Sequence, residues 1–406
     1  MNRKSKFKII IDFNKSKNSY IYDKRSKKFF LDFFGQYSSL AIGYNNEIFN
    51  NKDFLNEMKL VSKQKIVNNE ILSYETKEFD KIFQKFTCNN FFEFYHYCCT
   101  GALAVESAIK TAIDYKKTKN PIIVSFKGSF HGINSYGGII SDRVGGVADR
   151  LNGFPGGYWK LYNNPIIKYK NNKPTDSKQK IINTAIKLEK DLISNKNITC
   201  IIVEPIQCTN GDNYFEKSFF KKIRELATKY NVPLIFDEVQ TGFFVTGKKW
   251  YYEHLDIIPD ILIFGKKTQM SGIMVRKKFS KIFNKPIRLE VTWDGDAVDM
   301  VRCKYIIKAL KKNNVIHNVN KMSELLKDGL NSINNIINIR NCGLLFAYDL
   351  KNHDKQKMIF ENMLKFGMLS NQTGKRTIRL RPNLLVTKDE INRALNIIEL
   401  SANKIK

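Results

Sequence analysis

Apolar and polar positions alternate along the chain with two distinct periods. Residues 102–115, "ALAVESAIKTAIDY", put Val105, Ile109 and Ile113 four apart, which predicts an amphipathic helix with Gly101 at its N-terminal edge. "PIIVSF" (121–126) reads as a buried strand, followed by the loop "KGSFHG". Residues 137–175 are rich in Gly, Pro and Asn, carry little periodicity and read as a long loop. A regular alternation follows: a helix over 178–194, the strand "CIIVEP" (200–205), and a helix over 216–230 with Phe219, Ile223, Leu226 and Tyr230 on one face. The strands "PLIFDE" (233–238) and "DILIFG" (260–265) come next. Short, wholly apolar strands separated by helices predict a parallel sheet covered on both faces.

The flanks differ. Residues 18–43 alternate short apolar runs with charged turns, which predicts a small β-meander. From 286 the chain reads as a helix over 297–312, strands at "GLLFAYDL" (343–350) and "TIRLRPNLL" (377–385), and a last helix carrying Ile391, Leu395 and Ile398. Thr387 and Glu390 form a capping box at the start of that helix. The expected fold class is α/β. Residues 46–285 make a large domain with a mostly parallel sheet, 1–45 contribute an N-terminal segment to a small domain, and 286–406 supply the rest of that α+β domain.

Composition narrows the function. Of 406 residues 43% are apolar, enough for a sizeable core. The net charge of +29 raises the question of nucleic acid, but the lysines are scattered and lack Arg/aromatic interleaving, so a solvated surface is expected instead. Seven cysteines, an odd number with no C-x-x-C pair, predict reduced thiols and no zinc site. The basic N-terminus has too short an apolar run for a signal peptide, and no segment approaches the ~18 apolar residues of a membrane span. A soluble cytoplasmic protein is expected.

The chemistry-bearing residues fall at strand ends. In a doubly wound sheet, ligands bind at the carboxyl ends of the strands, and Glu204, Asp237 and Lys266 all stand there. The helix start at Gly101 offers free N–H groups and a positive dipole end for a phosphate. Each feature alone has an ordinary explanation: an ion-pair partner, a surface lysine, a helix opening. Together they match the needs of pyridoxal phosphate: an amine for a Schiff base, an acid for the pyridine nitrogen and an anion site. Glu238 alternates with Asp237 along the strand and is expected to bond loop backbone instead.

The segments "LIFDEVQTG", "PDILIFGKKTQ", "GALAVESAIK", "SFHG", "EPIQ" and "TW" with "VDM" together resemble the class III (ω-) aminotransferases, pyridoxal-phosphate enzymes of fold type I. "FGKKTQ" (264–269) is most similar to the lysine 6-aminotransferases among them. The resemblance implies a large domain with a seven-stranded type of sheet, a homodimer, an amine donor and a 2-oxo acid acceptor. It implies that Lys266 carries the cofactor and moves the substrate proton, with Lys267 as the alternative. Asp237 would face the pyridine nitrogen, Gln240 the phenolic oxygen, and Phe130 would stack on the ring. Gly101 and Ala102 would hold the phosphate, with Thr292 reaching it from the neighbouring subunit. Arg379 would bind the α-carboxylate of glutamate or 2-oxoglutarate, with Arg381 competing for that role.

Departures from the family pattern cluster in the substrate shell. Thr209 stands where a Glu usually neutralises the substrate arginine, and Ile133 where the lysine enzymes place an Arg. Glu290 replaces an Asn, Asp294 a Gly, and bulky Phe244 and Val245 occupy positions where small residues are common. The expected donor is therefore a diamine, or an amine with a neutral or cationic distal end. A racemase, aminomutase or decarboxylase on the same cofactor, or a non-catalytic homologue with a basic surface, are the competing expectations.

Overall fold

The computed structural model describes residues 6–64, 70–87, 90–142, 159–170, 172–285 and 287–405. They form two compact units. The larger comprises Glu57–Phe243 and Lys248–Lys304, and the smaller Met1–Asn56, Phe244–Gly247 and Tyr305–Lys406. The expected borders at 45/46 and 285/286 therefore shift to 56/57 and 304/305. Both observed borders fall inside helices, Lys52–Gln64 and Ala297–Lys312, where no change in sequence texture marks them.

The larger unit is built on a seven-stranded sheet. From one edge to the other its strands are Phe94–Cys98, Ser271–Val275, Ile261–Phe264, Leu234–Asp237, Ile198–Val203, Ile122–Phe126 and Trp159–Tyr162. Ser271–Val275 pairs antiparallel with both its neighbours, and every other pairing is parallel. Every residue of Ile198–Val203, Leu234–Asp237 and Ile261–Phe264 is buried, as strands covered on both faces must be. The helix Gly101–Lys116 covers one face. Its Ala104, Val105, Ala108, Ile109 and Ala112 share one core with Ile202, Ile235, Ile263 and Ile273 from the strands. Small residues on the helix let it lie close to a sheet whose own side chains are branched and bulky.

Two departures from the sequence reading concern non-local pairing. The stretch 137–175 is not one loop: it begins inside a short helix, Ser135–Ile140, and contains the edge strand Trp159–Tyr162. That strand pairs on one side only and is half-buried over three of its four residues, so it lacks the apolar run of its neighbours. The stretch also contains a short ribbon in which Tyr169–Lys170 pairs antiparallel with Lys173–Pro174, while 143–158 and 171 lie outside the described residues. Phe94–Cys98 and Ser271–Val275 were also not expected as strands; a central His96 and an interior Gly272 dilute their apolar signal.

In the smaller unit, Tyr20–Asp23 and Lys28–Asp32 form a hairpin. Its third strand is Met368–Leu369, which adds in parallel from far along the chain, so the predicted local meander is replaced by a non-local sheet. A second sheet orders Ile337–Cys342, Leu345–Asp349, Thr377–Leu380 and Asn371–Thr373, all antiparallel. The strand expected over 377–385 stops at Leu380, two residues before Pro382, which has no N–H to offer a ladder. The final helix, Lys388–Asn403, opens on the capping box of Thr387 and Glu390.

Gly242 illustrates how tightly the larger unit is packed behind its strand ends. A Cβ there would lie 2.4 Å from Cε3 and Cζ3 of Trp250. That ring is buried and tethered by its own N–H, which donates to the Thr87 carbonyl at 2.8 Å. Gly242→Ala is expected to lower stability by about 1–3 kcal/mol through overpacking, read as a lower urea midpoint with an unchanged slope.

Candidate active site

Asp237 is the last residue of a central strand, held by ladders on both sides. Its side chain is only 6% exposed. Oδ1 accepts the N–H of Val239 at 3.2 Å, and Oδ2 lies 2.8 Å from Nδ1 of His131. Beyond the end of the neighbouring strand, Lys266 opens a short 3-10 turn, Lys266–Thr268. Its φ of +57° puts a non-glycine residue in the left-handed region, a conformation that costs of order 1–3 kcal/mol and gathers at functional sites.

On the other side of Asp237 the Gly101–Lys116 helix begins. Thr100 caps it, its hydroxyl accepting from Leu103 N–H at 3.3 Å and its carbonyl from Ala104 N–H at 3.1 Å. The first N–H groups of a helix have no intrahelical acceptor, so those of Gly101 and Ala102 are left for an anion. Gly101 is required by close approach: a Cβ would sit 3.2 Å from both methyl groups of Val239. These elements enclose a cavity of about 280 Å³, near the lower end for small-molecule sites. Gly101, Ala102, Phe130, Ile133, Asp237, Gln240 and Lys266 all line it, together with Val239, His131 and Glu204.

Not every expected residue is brought there. Lys267 is buried and does not line the cavity. Thr209 is half-buried in a turn closed by paired backbone hydrogen bonds between Gln207 and Asn213. Thr292 is exposed on this chain. Glu290 lines a different cavity, beside His96, and its carboxylate accepts the N–H groups of Arg288 and Leu289. Partial burial pushes that carboxyl up, but these backbone bonds outweigh it and hold it below its usual range. Arg379 belongs to the smaller unit, buried in the Thr377–Leu380 strand opposite Ala347 and Asn371. Arg381, fully buried there, donates to the carbonyls of Phe346 and Leu380 at 3.1 and 3.0 Å, a structural commitment.

One residue escaped the sequence reading, and another was read without its partner. His131 was visible only as part of "SFHG", and nothing in that motif pairs it with a strand end 106 positions away. Glu204 was placed at a strand end without a partner; its Oε1 accepts the N–H of Phe130 at 2.8 Å and fixes the loop that carries Phe130 into the cavity.

A lysine, a buried carboxylate and an anion-binding helix start around one cavity, at the carboxyl edge of this sheet, fit pyridoxal phosphate and define a fold type I enzyme dependent on it. The chain belongs to the class III aminotransferases, whose family profile matches residues 1–401. The L-lysine-epsilon aminotransferase of Mycobacterium tuberculosis is 28% identical over 409 residues, covering 95% of this chain and 90% of that protein. The 4-aminobutyrate aminotransferase of Dictyostelium discoideum is also 28% identical, covering 95% and 83%. Among solved structures, the M. tuberculosis lysine aminotransferase in the internal aldimine form superposes with a TM-score of 0.90 at 26% identity, covering 99% of this chain and 96% of that one. The protein is thus an aminotransferase, and its cofactor is pyridoxal 5'-phosphate. Among the described residues, no helix is long and apolar enough to cross a membrane.

Glu238, next to Asp237, faces away from the cavity and accepts the N–H groups of Tyr251 and Tyr252 at 2.6 and 3.0 Å and the Thr241 hydroxyl at 3.3 Å. Burial pushes its carboxyl from 4.5 up to about 8, against the pull of those donors. The folded chain then keeps a proton that the unfolded chain releases, so this residue's contribution to stability is fullest below pH 4.5 and is lost as pH rises towards 8. Thermal midpoints measured between pH 5 and 8 should fall more steeply for the wild type than for Glu238→Gln.

Proposed function

We propose that this aminotransferase takes the terminal amino group of an ω-amine, a diamine in preference to an ω-amino acid, and passes it to a 2-oxo acid such as 2-oxoglutarate. The observation that carries the preference is Ile133. It lines the cavity and is 65% exposed, at the position where the lysine enzymes that the chain resembles place an arginine. An apolar side chain there offers nothing to a distal carboxylate and does not repel a distal ammonium.

Pyridoxal phosphate supplies the electron sink that weakens the C–H bond at the amine-bearing carbon. The chain's residues do the rest. Lys266 Nζ would hold the cofactor and, as the amine nearest the substrate carbon, would take up and return its proton. Asp237, kept in place by His131 and the Val239 N–H, would hold the pyridine nitrogen. Gln240 would hold the phenolic oxygen. The N–H groups of Gly101 and Ala102 would hold the phosphate. Phe130, its backbone fixed by Glu204, would cover the ring. Arg379 binds the α-carboxylate of the acceptor. Thr209, where relatives carry an acidic residue, cannot neutralise that arginine when a donor lacking a carboxylate is bound. The enzyme works in the cytoplasm as a homodimer, with Thr292 completing the phosphate site of the neighbouring subunit.

Initial rates with 1,5-diaminopentane and with L-lysine, each against 2-oxoglutarate, test the preference. Losing a charged hydrogen bond of about 1.5–3 kcal/mol removes the roughly tenfold to hundredfold benefit that L-lysine would draw from an arginine; the diamine is expected to be the faster donor, and equal rates would overturn the preference. Lys266→Ala should abolish turnover and the cofactor's visible absorbance band, while Lys267→Ala retains both. Release of 2-oxoglutarate from glutamate in a single turnover separates transamination from racemisation or decarboxylation.

A further inference from the structure

We propose that His96, Cys98 and Asp294 form a binding site for a divalent transition-metal ion of the zinc type, separate from the cofactor cavity. His96 and Cys98 stand two apart on the Phe94–Cys98 strand and so project from the same face of the sheet. Asp294 comes from the turn before the Ala297–Lys312 helix, and all three side chains are buried. Their donor atoms lie within 4.8 Å of one another. The separation of His96 Nε2 and Asp294 Oδ2 is 3.4 Å, close to the roughly 3.3 Å edge that two metal bonds of about 2.0–2.1 Å subtend at a tetrahedral centre.

The remaining contacts of the cluster leave room for an ion. Asp294 Oδ2 accepts the Val291 N–H at 2.8 Å, and Cys98 Sγ lies 3.6 Å from Ser107 Oγ. Asp294 Oδ1 is buried and meets no hydrogen-bond donor among the described residues. A carboxylate oxygen stranded in this way is costly unless something cationic faces it. Asp294 stands where the family pattern has a glycine, so the carboxylate is a feature of this chain rather than part of the shared cofactor machinery.

A nitrogen, a thiolate sulphur and a carboxylate oxygen make a donor set suited to zinc and its first-row neighbours, and unsuited to magnesium or calcium. On binding, Cys98 gives its thiol proton to water as the sulphur–metal bond forms. One dication, one thiolate and one carboxylate leave the buried centre neutral, which removes most of the penalty of placing charge there. A second cavity of about 280 Å³ reaches His96 beside Glu290.

The site is tested on holoenzyme stripped with a chelator and checked for unchanged cofactor absorbance. Titration with Co²⁺ should give one ion per chain, the visible bands of a tetrahedral centre and a thiolate-to-cobalt charge-transfer band, all displaced by Zn²⁺. Cys98→Ser should lose the charge-transfer band and Cys99→Ser should keep it. Asp294→Asn, which preserves volume, should weaken Co²⁺ binding at least tenfold. A stoichiometry well below one per chain, a charge-transfer band that survives in Cys98→Ser, or unchanged affinity in folded Asp294→Asn would each overturn the proposal.

Discussion

The hydrogen bond between His131 Nδ1 and Asp237 Oδ2, 2.8 Å long and shielded from solvent, is the contact around which the rest of the site is arranged. A carboxylate at the end of an entirely buried strand is expensive unless it is bonded, and Asp237 has donors on both oxygens. The strand cannot slip to relieve the cost, because it is laddered to Ile198–Val203 on one side and Ile261–Phe264 on the other. The position of the carboxylate is therefore as rigid as the sheet. His131 follows Phe130 directly, so the loop that supplies an aromatic wall to the cavity is tied to the strand end through its next residue. Glu238 shows the opposite use of the same side-chain group. It turns away and fastens the backbone at Tyr251 and Tyr252, so two adjacent carboxylates organise two different regions.

Local signals made much of this legible in the sequence. The helices over 178–194 and 297–312 appear with those bounds, since apolar periodicity runs to both ends of each. The capping box at Thr387 is a local motif and forms as such. Gly101, Glu204, Asp237 and Lys266 were visible because they sit at strand ends and at a helix start, whereas Ala102, Phe130, Ile133 and Gln240 were implied only by the family resemblance. What stayed hidden depends on distant partners. Met368–Leu369 is a strand only because Lys28–Asp32 is beside it, and Trp159–Tyr162 only because the sheet has an edge to extend. The partnership of His131 with Asp237 has no sequence spacing to advertise it.

Backbone conformation adds information that residue types do not carry. Lys266 and Lys267 are adjacent and identical in chemistry, so the motif alone left both in contention. Lys266 adopts φ +57° and reaches the cavity, whereas Lys267 continues the turn and is buried away from it. A left-handed lysine is uncommon; here the close packing of the strand end and the following 3-10 turn over-determine it, and the result is an amine aimed at the same space as Asp237. Phe243 and Phe244 are likewise left-handed, at φ +58° and +70°, and both are buried. Glycine would adopt those angles without strain, so the choice of two aromatic rings there trades backbone strain of order 1–3 kcal/mol each for buried apolar area.

The charge distribution explains why the departures from the family pattern bear on substrate rather than on fold. A formal net charge of +29 spread over scattered surface lysines leaves the strand-end carboxylates, the helix start and the sheet core undisturbed. Selectivity instead depends on single residues facing the cavity, where desolvation makes each charge count. Replacing an arginine by Ile133 removes an attraction. It leaves an apolar side chain that offers a carboxylate no partner, so the reward an arginine would give that ligand is lost. An ammonium group at the same distance can keep its water and lie along the isoleucine by its methylene stem. On the proposed reading, the donor preference is set at the cavity mouth by Ile133, apart from Asp237, Lys266 and the helix start at Gly101.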